Sequence, residues 1–160
     1  MRKQKGFSLI KLLIVVAIIL IIAAIAIPNL LRARIAANES SAVASVRTLN
    51  TAEISYNSAY PTVGFAGSLS ALTGSGSACS PPSSTGACLI DTQLASGTKS
   101  GYSFSIAASG SNPAGSYSAW ANPITANQTG VRSFCSVADA VVRFSTVALT
   151  TCAGTEQPLQ

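Results

Sequence analysis

The chain has no histidine, one tryptophan, one methionine and only five acidic residues among 160. Without imidazole, neither a Ser-His nor a Cys-His nucleophile pair can be built. The acids Glu39, Glu53, Asp91, Asp139 and Glu156 are too scattered along the chain to suggest a catalytic dyad. No glycine-rich phosphate loop follows a strand pattern. A zinc site would lack both histidine and a C-x-x-C spacing. Composition thus argues against an enzyme and calls for no cofactor and no metal.

Charge is sparse as well, at 9% of residues against the usual quarter. What there is sits unevenly. Arg2, Lys3, Lys5 and Lys11 hold four of the ten cations, so residues 12–160 carry six positives against five negatives, a net of +1. The pI near 9.3 therefore reflects the N-terminus rather than a basic face. Nucleic acid is not an expected partner, because no basic groove with interleaved aromatics is visible. Basic residues before an apolar run instead mark its cytoplasmic side.

That run is the most prominent feature present. Leu12 to Ile27 is sixteen apolar residues without a break, and Phe7 to Ile27 is twenty-one interrupted by Ser8 and Lys11. At about 1.5 Å per helical residue the longer stretch covers roughly 30 Å, the thickness of a hydrocarbon core. A secretory signal peptide is the alternative, since Ala24-Ile25-Ala26 offers a cleavage site that would release a soluble protein after Ala26. Cys79, Cys88, Cys135 and Cys152 form an even set behind this export-type N-terminus. That favours disulfides, with three pairings open.

The order of parts at the N-terminus is specific. Gly6-Phe7-Ser8-Leu9-Ile10, then Leu12-Leu13-Ile14-Val15-Val16-Ala17-Ile18, then Ala23 to Ile27 and Pro28, resembles the start of type IV prepilins and pseudopilins. The resemblance implies a cut between Gly6 and Phe7 by a prepilin peptidase on the cytoplasmic face, with methylation of Phe7. It implies that the apolar run is kept, first as an inner-membrane anchor with a cytoplasmic N-terminus and then as the core of an extracellular or periplasmic filament. The partners implied are other pilin subunits, the peptidase and an inner-membrane assembly platform. Adhesion, motility, type II secretion and DNA uptake are the services such filaments perform. The resemblance also implies a disulfide closing a C-terminal loop, Cys135–Cys152; Cys79 and Cys88 bracket Pro81-Pro82, where a local bridge would pin the connection.

One position departs from the pattern. Lys11 stands where the family carries a glutamate that is thought to pair with a neighbour's N-terminal ammonium. Near the end of a membrane span a lysine can reach the lipid phosphates. Inside a bundle of identical rods it would meet the Phe7 ammonium, a like charge. A minor pilin or pseudopilin beside a glutamate-bearing partner would avoid that conflict.

Beyond the anchor, Ile35, Ala42, Leu49 and Tyr56 recur every seven residues, with Val46 and Tyr60 alongside. Arg32, Arg34, Asn38, Ser41, Ser45 and Thr48 take other faces, which predicts a helix continuing past Pro28 to about Asn57. From Phe7 it would measure roughly 75 Å. Residues 64–86 hold five glycines and seven serines and read as loop. Alternation then predicts four strands, at Tyr102-Phe104-Ile106, Tyr117–Ala121, Val131–Val137 and Ala140–Val147. The expected architecture is α+β, a long helix against a roughly four-stranded antiparallel sheet. Its expected divisions are a leader 1–6, an anchor 7–27, an amphipathic continuation 28–57, a connecting loop 58–101 and a sheet with its disulfide-closed tail 102–160. The sequons at Asn38 and Asn127 are expected to be unused, and Tyr56 with Tyr60 to be packing residues.

Overall fold

The computed structural model describes residues 9–74, 79 and 81–159. The chain divides into two compact units, Met1–Arg34 and Ile35–Gln160. The first unit, where described, is the N-terminal part of one helix, α1 (Leu9–Ala59). Pro28 lies inside α1 and the helix runs through it. Every leucine, isoleucine and valine from Leu9 to Leu31 is exposed. Apolar residues on all sides, rather than along one stripe, are what a membrane span or a buried core helix requires. The helix is long and apolar enough to cross a membrane, with a mean hydropathy of 3.3 over its best window.

The second unit is α+β. The remainder of α1 lies against a six-stranded meander: β1 (Thr98–Lys99), β2 (Tyr102–Ser109), β3 (Ser116–Pro123), β4 (Ser133–Val137), β5 (Arg143–Ser145) and β6 (Gln157–Pro158). All neighbours pair antiparallel. Alternation puts Tyr102, Phe104 and Ile106 of β2 and Tyr117, Ala119 and Ala121 of β3 inward. Register sets large against small, Phe104 opposite Ala121 and Ile106 opposite Ala119, so the two rows interdigitate rather than collide. Ala42, Val46, Leu49 and Tyr56 of α1 complete this core.

Six strands replace the four expected. Strands β1 and β6 are two residues each, too short to carry a period. Strand β4 begins at Ser133 rather than Val131, because the N–H groups of Val131 and Arg132 go to the Glu39 carboxylate. Strand β5 begins at Arg143 rather than Ala140. Ala140 has φ +58°, and Asp139 accepts from the Val141 N–H, so the chain turns there before pairing. Ser45 also differs from expectation, being buried rather than on a polar face.

Within the stretch expected as loop are two one-turn helices, α2 (Leu69–Leu72) and α3 (Thr92–Ala95). Ser68 and Asp91 cap them, accepting from the Ala71 and Leu94 N–H groups. Leu72, Ala87, Ile90 and Leu94 join the core from this segment. Gly130 is required where it stands, because a Cβ there would overlap the Tyr102 ring and hydroxyl. That hydroxyl donates to the Arg132 carbonyl at 2.7 Å.

Two disulfides close the fold, Cys79–Cys88 and Cys135–Cys152, each with Cα atoms 5.7 Å apart. The second ties β4 to the tail across a separation of 17 residues. Closing a loop of that size constrains the unfolded chain by about 3 kcal/mol. Replacing both Cys135 and Cys152 with alanine is expected to lower unfolding stability by that amount. Equal denaturation midpoints for variant and wild type would contradict it.

Candidate assembly site

The site expected at the N-terminus falls into two parts. Gly6 and Phe7, the expected cleavage and methylation residues, lie outside the described residues. Lys11 and Pro28 lie on α1. Lys11 is exposed between Ile10 and Leu12. No acidic residue occurs in the sequence before Glu39, so nothing on this stretch of α1 can neutralise it locally. Its apolar surroundings and its isolation make it the one charged position on α1 before Arg32.

In the second unit the acids that α1 carries both turn inward. Glu39 sits three residues before Ala42 and Glu53 three before Tyr56, on the buried face. The Glu39 carboxylate accepts four hydrogen bonds. Oε1 takes the Val131 and Arg132 N–H groups at 3.0 and 3.1 Å, and Oε2 takes the Arg132 guanidinium at 2.9 and 2.7 Å. Arg132 also lies over the rings of Phe134 and Phe144, at 5.6 and 5.5 Å. Burial pushes the Glu39 carboxyl up, but Arg132 and the two backbone N–H groups outweigh it and hold the group below its ordinary range. Glu39 is thus a clamp between α1 and the entry to β4.

A second polar group lies deeper. Asn50 accepts from the Tyr117 hydroxyl at 3.0 Å and donates to the Ala140 carbonyl at 3.1 Å. Glu53 Oε2 accepts from the Ala66 N–H at 2.8 Å. Glu39, Asn50, Glu53 and Arg132 are not among the site residues expected from the sequence. Their signal was available: two of only five acids fall on the apolar period of an otherwise neutral helix face.

Cys135, Cys152 and Glu156 bring three potential donor atoms within 4.8 Å of one another. Both sulfurs are joined in the disulfide, so they offer no thiolate to a metal. Glu156 instead accepts from the Ala153 N–H at 2.9 Å and finishes the tail. The Asn38 amide nitrogen donates to the Thr129 carbonyl at 2.9 Å, which engages one sequon internally. Asn127, the other, is exposed on a turn. Tyr56 and Tyr60 pack with ring centroids 5.0 Å apart. A shallow cleft of about 380 Å³ beside Glu39 is lined by Val43, Arg47, Arg132, Phe134 and Leu159. Ser40 also lines it, with its hydroxyl donating to the Ala36 carbonyl at 2.9 Å.

The family model for the prokaryotic N-terminal methylation motif matches residues 1–27. The major component PilA4 of the type IV wide pilus of Thermus thermophilus is 65% identical over 40 residues, 25% of this chain and 30% of that protein. The type IV major pilin protein PilA of Myxococcus xanthus is 46% identical over 54 residues, 34% of this chain and 24% of that one. The type II secretion system core protein G of Vibrio cholerae is 42% identical over 65 residues, 39% of this chain and 44% of that one. The matched region spans about a quarter to under half of the length of these relatives. No solved structure matches. Residues 1–27 thus carry the prokaryotic N-terminal methylation motif, and part of the chain is similar to type IV major pilins of two bacteria and to a type II secretion core protein of a third.

Proposed function

We propose that this chain is a structural subunit of a type IV pilus-like filament. A prepilin peptidase removes residues 1–6 between Gly6 and Phe7 and Phe7 is methylated. Residues 7–27 then hold the protein in the inner membrane with the N-terminus cytoplasmic. An inner-membrane assembly platform packs the same helix against sister helices, and the domain beyond it forms the outer surface of a periplasmic or extracellular fibre. The observation that carries this reading is the bare apolar surface of α1. Every leucine, isoleucine and valine between Leu9 and Leu31 is exposed, far more than a few hundred Å² of contiguous apolar surface, and such a surface is covered by lipid or by another protein.

The intact mass of the mature protein tests the reading. A chain beginning at methyl-Phe7 is the expected result, and substitution of Gly6 by valine is expected to leave the leader attached. A product beginning at Ile27 would overturn the reading in favour of a secreted soluble protein. A second reading, a minor pilin or pseudopilin seated beside a different subunit, is favoured by Lys11. An ammonium in the packing surface asks for a carboxylate that this chain does not supply before Glu39.

A further inference from the structure

Glu53 is fully buried on α1, and its two carboxylate oxygens are treated unequally. Oε2 accepts from the Ala66 N–H, while Oε1 has no partner among the described residues. Ala66 belongs to the segment 60–72 that follows α1, and the bond ties that segment to the helix. The neighbouring backbone is held elsewhere. Ala114 donates to the Val63 carbonyl at 2.9 Å, and Phe65 donates to the Ala114 carbonyl at 3.1 Å. The titratable groups facing Glu53 are all tyrosines: Tyr56 on α1, with Tyr60 beyond it, and Tyr117 on β3. Asp139 lies past Tyr117, and no lysine or arginine bonds Glu53 among the described residues.

We propose that Glu53 is a proton-operated latch, closing the seam between α1 and the segment 60–72 when Oε1 carries a proton and loosening it when that proton leaves. A neutral carboxyl is far less costly to bury than a carboxylate. Its carbonyl oxygen still accepts from Ala66, so the protonated form keeps the tie. The ionised form leaves a charged oxygen with no donor, and water reaches it only if the seam parts at Ala66. Burial pushes the Glu53 carboxyl up to about 7, against which the Ala66 N–H works as the smaller, opposing influence.

The missing histidine sharpens the consequence. The other four acids are all held low, so they titrate under the ordinary carboxylate range. With no imidazole in the chain, Glu53 is the side chain that changes charge between about pH 5 and 8. An acid whose pKa is higher folded than unfolded stabilises the fold at low pH and loses that stabilisation as pH rises through the folded value. The folded-to-unfolded ratio is therefore expected to fall by up to about tenfold per pH unit between 5 and 7.

Amide hydrogen exchange on the full chain in detergent micelles tests this, with Phe65 as an internal reference. Phe65 donates to Ala114 and Ala66 to Glu53, one residue apart. The Ala66-to-Phe65 ratio of protection factors is expected to drop by about tenfold or more from pH 5.5 to 8 in the wild type. In Glu53→Gln it is expected to stay flat. A constant wild-type ratio, or an equal drop in the variant, would overturn the latch. Should Glu53→Gln fail to fold, carboxyl-13C glutamate spectra of the wild type decide instead. One of the three glutamates is expected to titrate near neutrality, and midpoints all under about pH 5.5 would overturn the proposal.

Discussion

Glu39→Ala is expected to lower the unfolding stability of the second unit by about 3 kcal/mol, among the largest effects of any single substitution outside the hydrophobic core. The change strands two backbone donors, those of Val131 and Arg132, at a place where the side chain of Glu39 is only 10% exposed. An unsatisfied donor costs roughly 1–3 kcal/mol when buried, and since Val131 is 48% exposed the larger share falls on the Arg132 N–H. The Arg132 guanidinium suffers less, since its side chain is 41% exposed and keeps water and the two phenylalanine rings. The ion pair itself therefore contributes the smaller share. Glu39→Gln separates the two contributions, because the amide oxygen can still take both backbone donors while the charge and the acceptor for the guanidinium are gone. It is expected to cost less than the alanine. Urea denaturation of the full chain in micelles reads both, and alanine and wild-type midpoints that coincide would refute the clamp.

The same residue contributes to the acidic limit of stability, together with Asp91, Asp139 and Glu156. Its carboxyl is held low in the folded state, so its contribution is present above the unfolded value and lost as pH falls through the folded one. Glu53 slopes the other way, and one helix thus carries both limbs of a stability maximum. Glu39→Gln is expected to flatten the acid limb and Glu53→Gln the limb between pH 5 and 7.

The helix and the central strands could be read from the sequence because they are long enough to show a period. Ala42, Val46, Leu49 and Tyr56 recur at helical spacing, and Tyr102, Phe104 and Ile106 alternate. Each set lands in the core. What escaped was set by contacts distant in sequence. Nothing local announces that Val131 gives its N–H to a carboxylate 92 positions away instead of to a strand. Strands β1 and β6 owe their existence to the edges they border rather than to their own two residues. The one-turn helices α2 and α3 did carry a local sign, a capping Ser68 and Asp91, but it was masked by the serine and glycine around them. Buried acids were missed for a different reason. A carboxylate on an apolar face contradicts the pattern that identifies the face, and only the partner explains it.

Lys11→Glu is expected to raise filament yield by about tenfold or more, since an assembly step relieved of even 1.4 kcal/mol shifts tenfold. In a membrane a lysine this close to the end of the apolar stretch is tolerable, with lipid phosphates in reach. Packing against sister rods removes that escape. Neighbouring copies offer isoleucine, leucine and valine along the whole stretch, and no acid before Glu39, which is already committed to Arg132. If Phe7 is the processed terminus, its ammonium adds a second positive charge four positions away. Desolvating an unpaired ammonium costs several kcal/mol, well above the threshold for a tenfold effect. Glutamate at the same place would pair with the Phe7 ammonium of an adjacent copy, turning a repulsion into an attraction. Electron microscopy and quantified sheared-fibre protein in cells expressing only this subunit provide the measurement. Co-expression of the wild type with a relative bearing a carboxylate in its own apolar helix is expected to rescue yield without the substitution. An unchanged or lower yield from Lys11→Glu would mean that the lysine is solvated within the fibre, and the charge argument for a second, acidic subunit would fall with it.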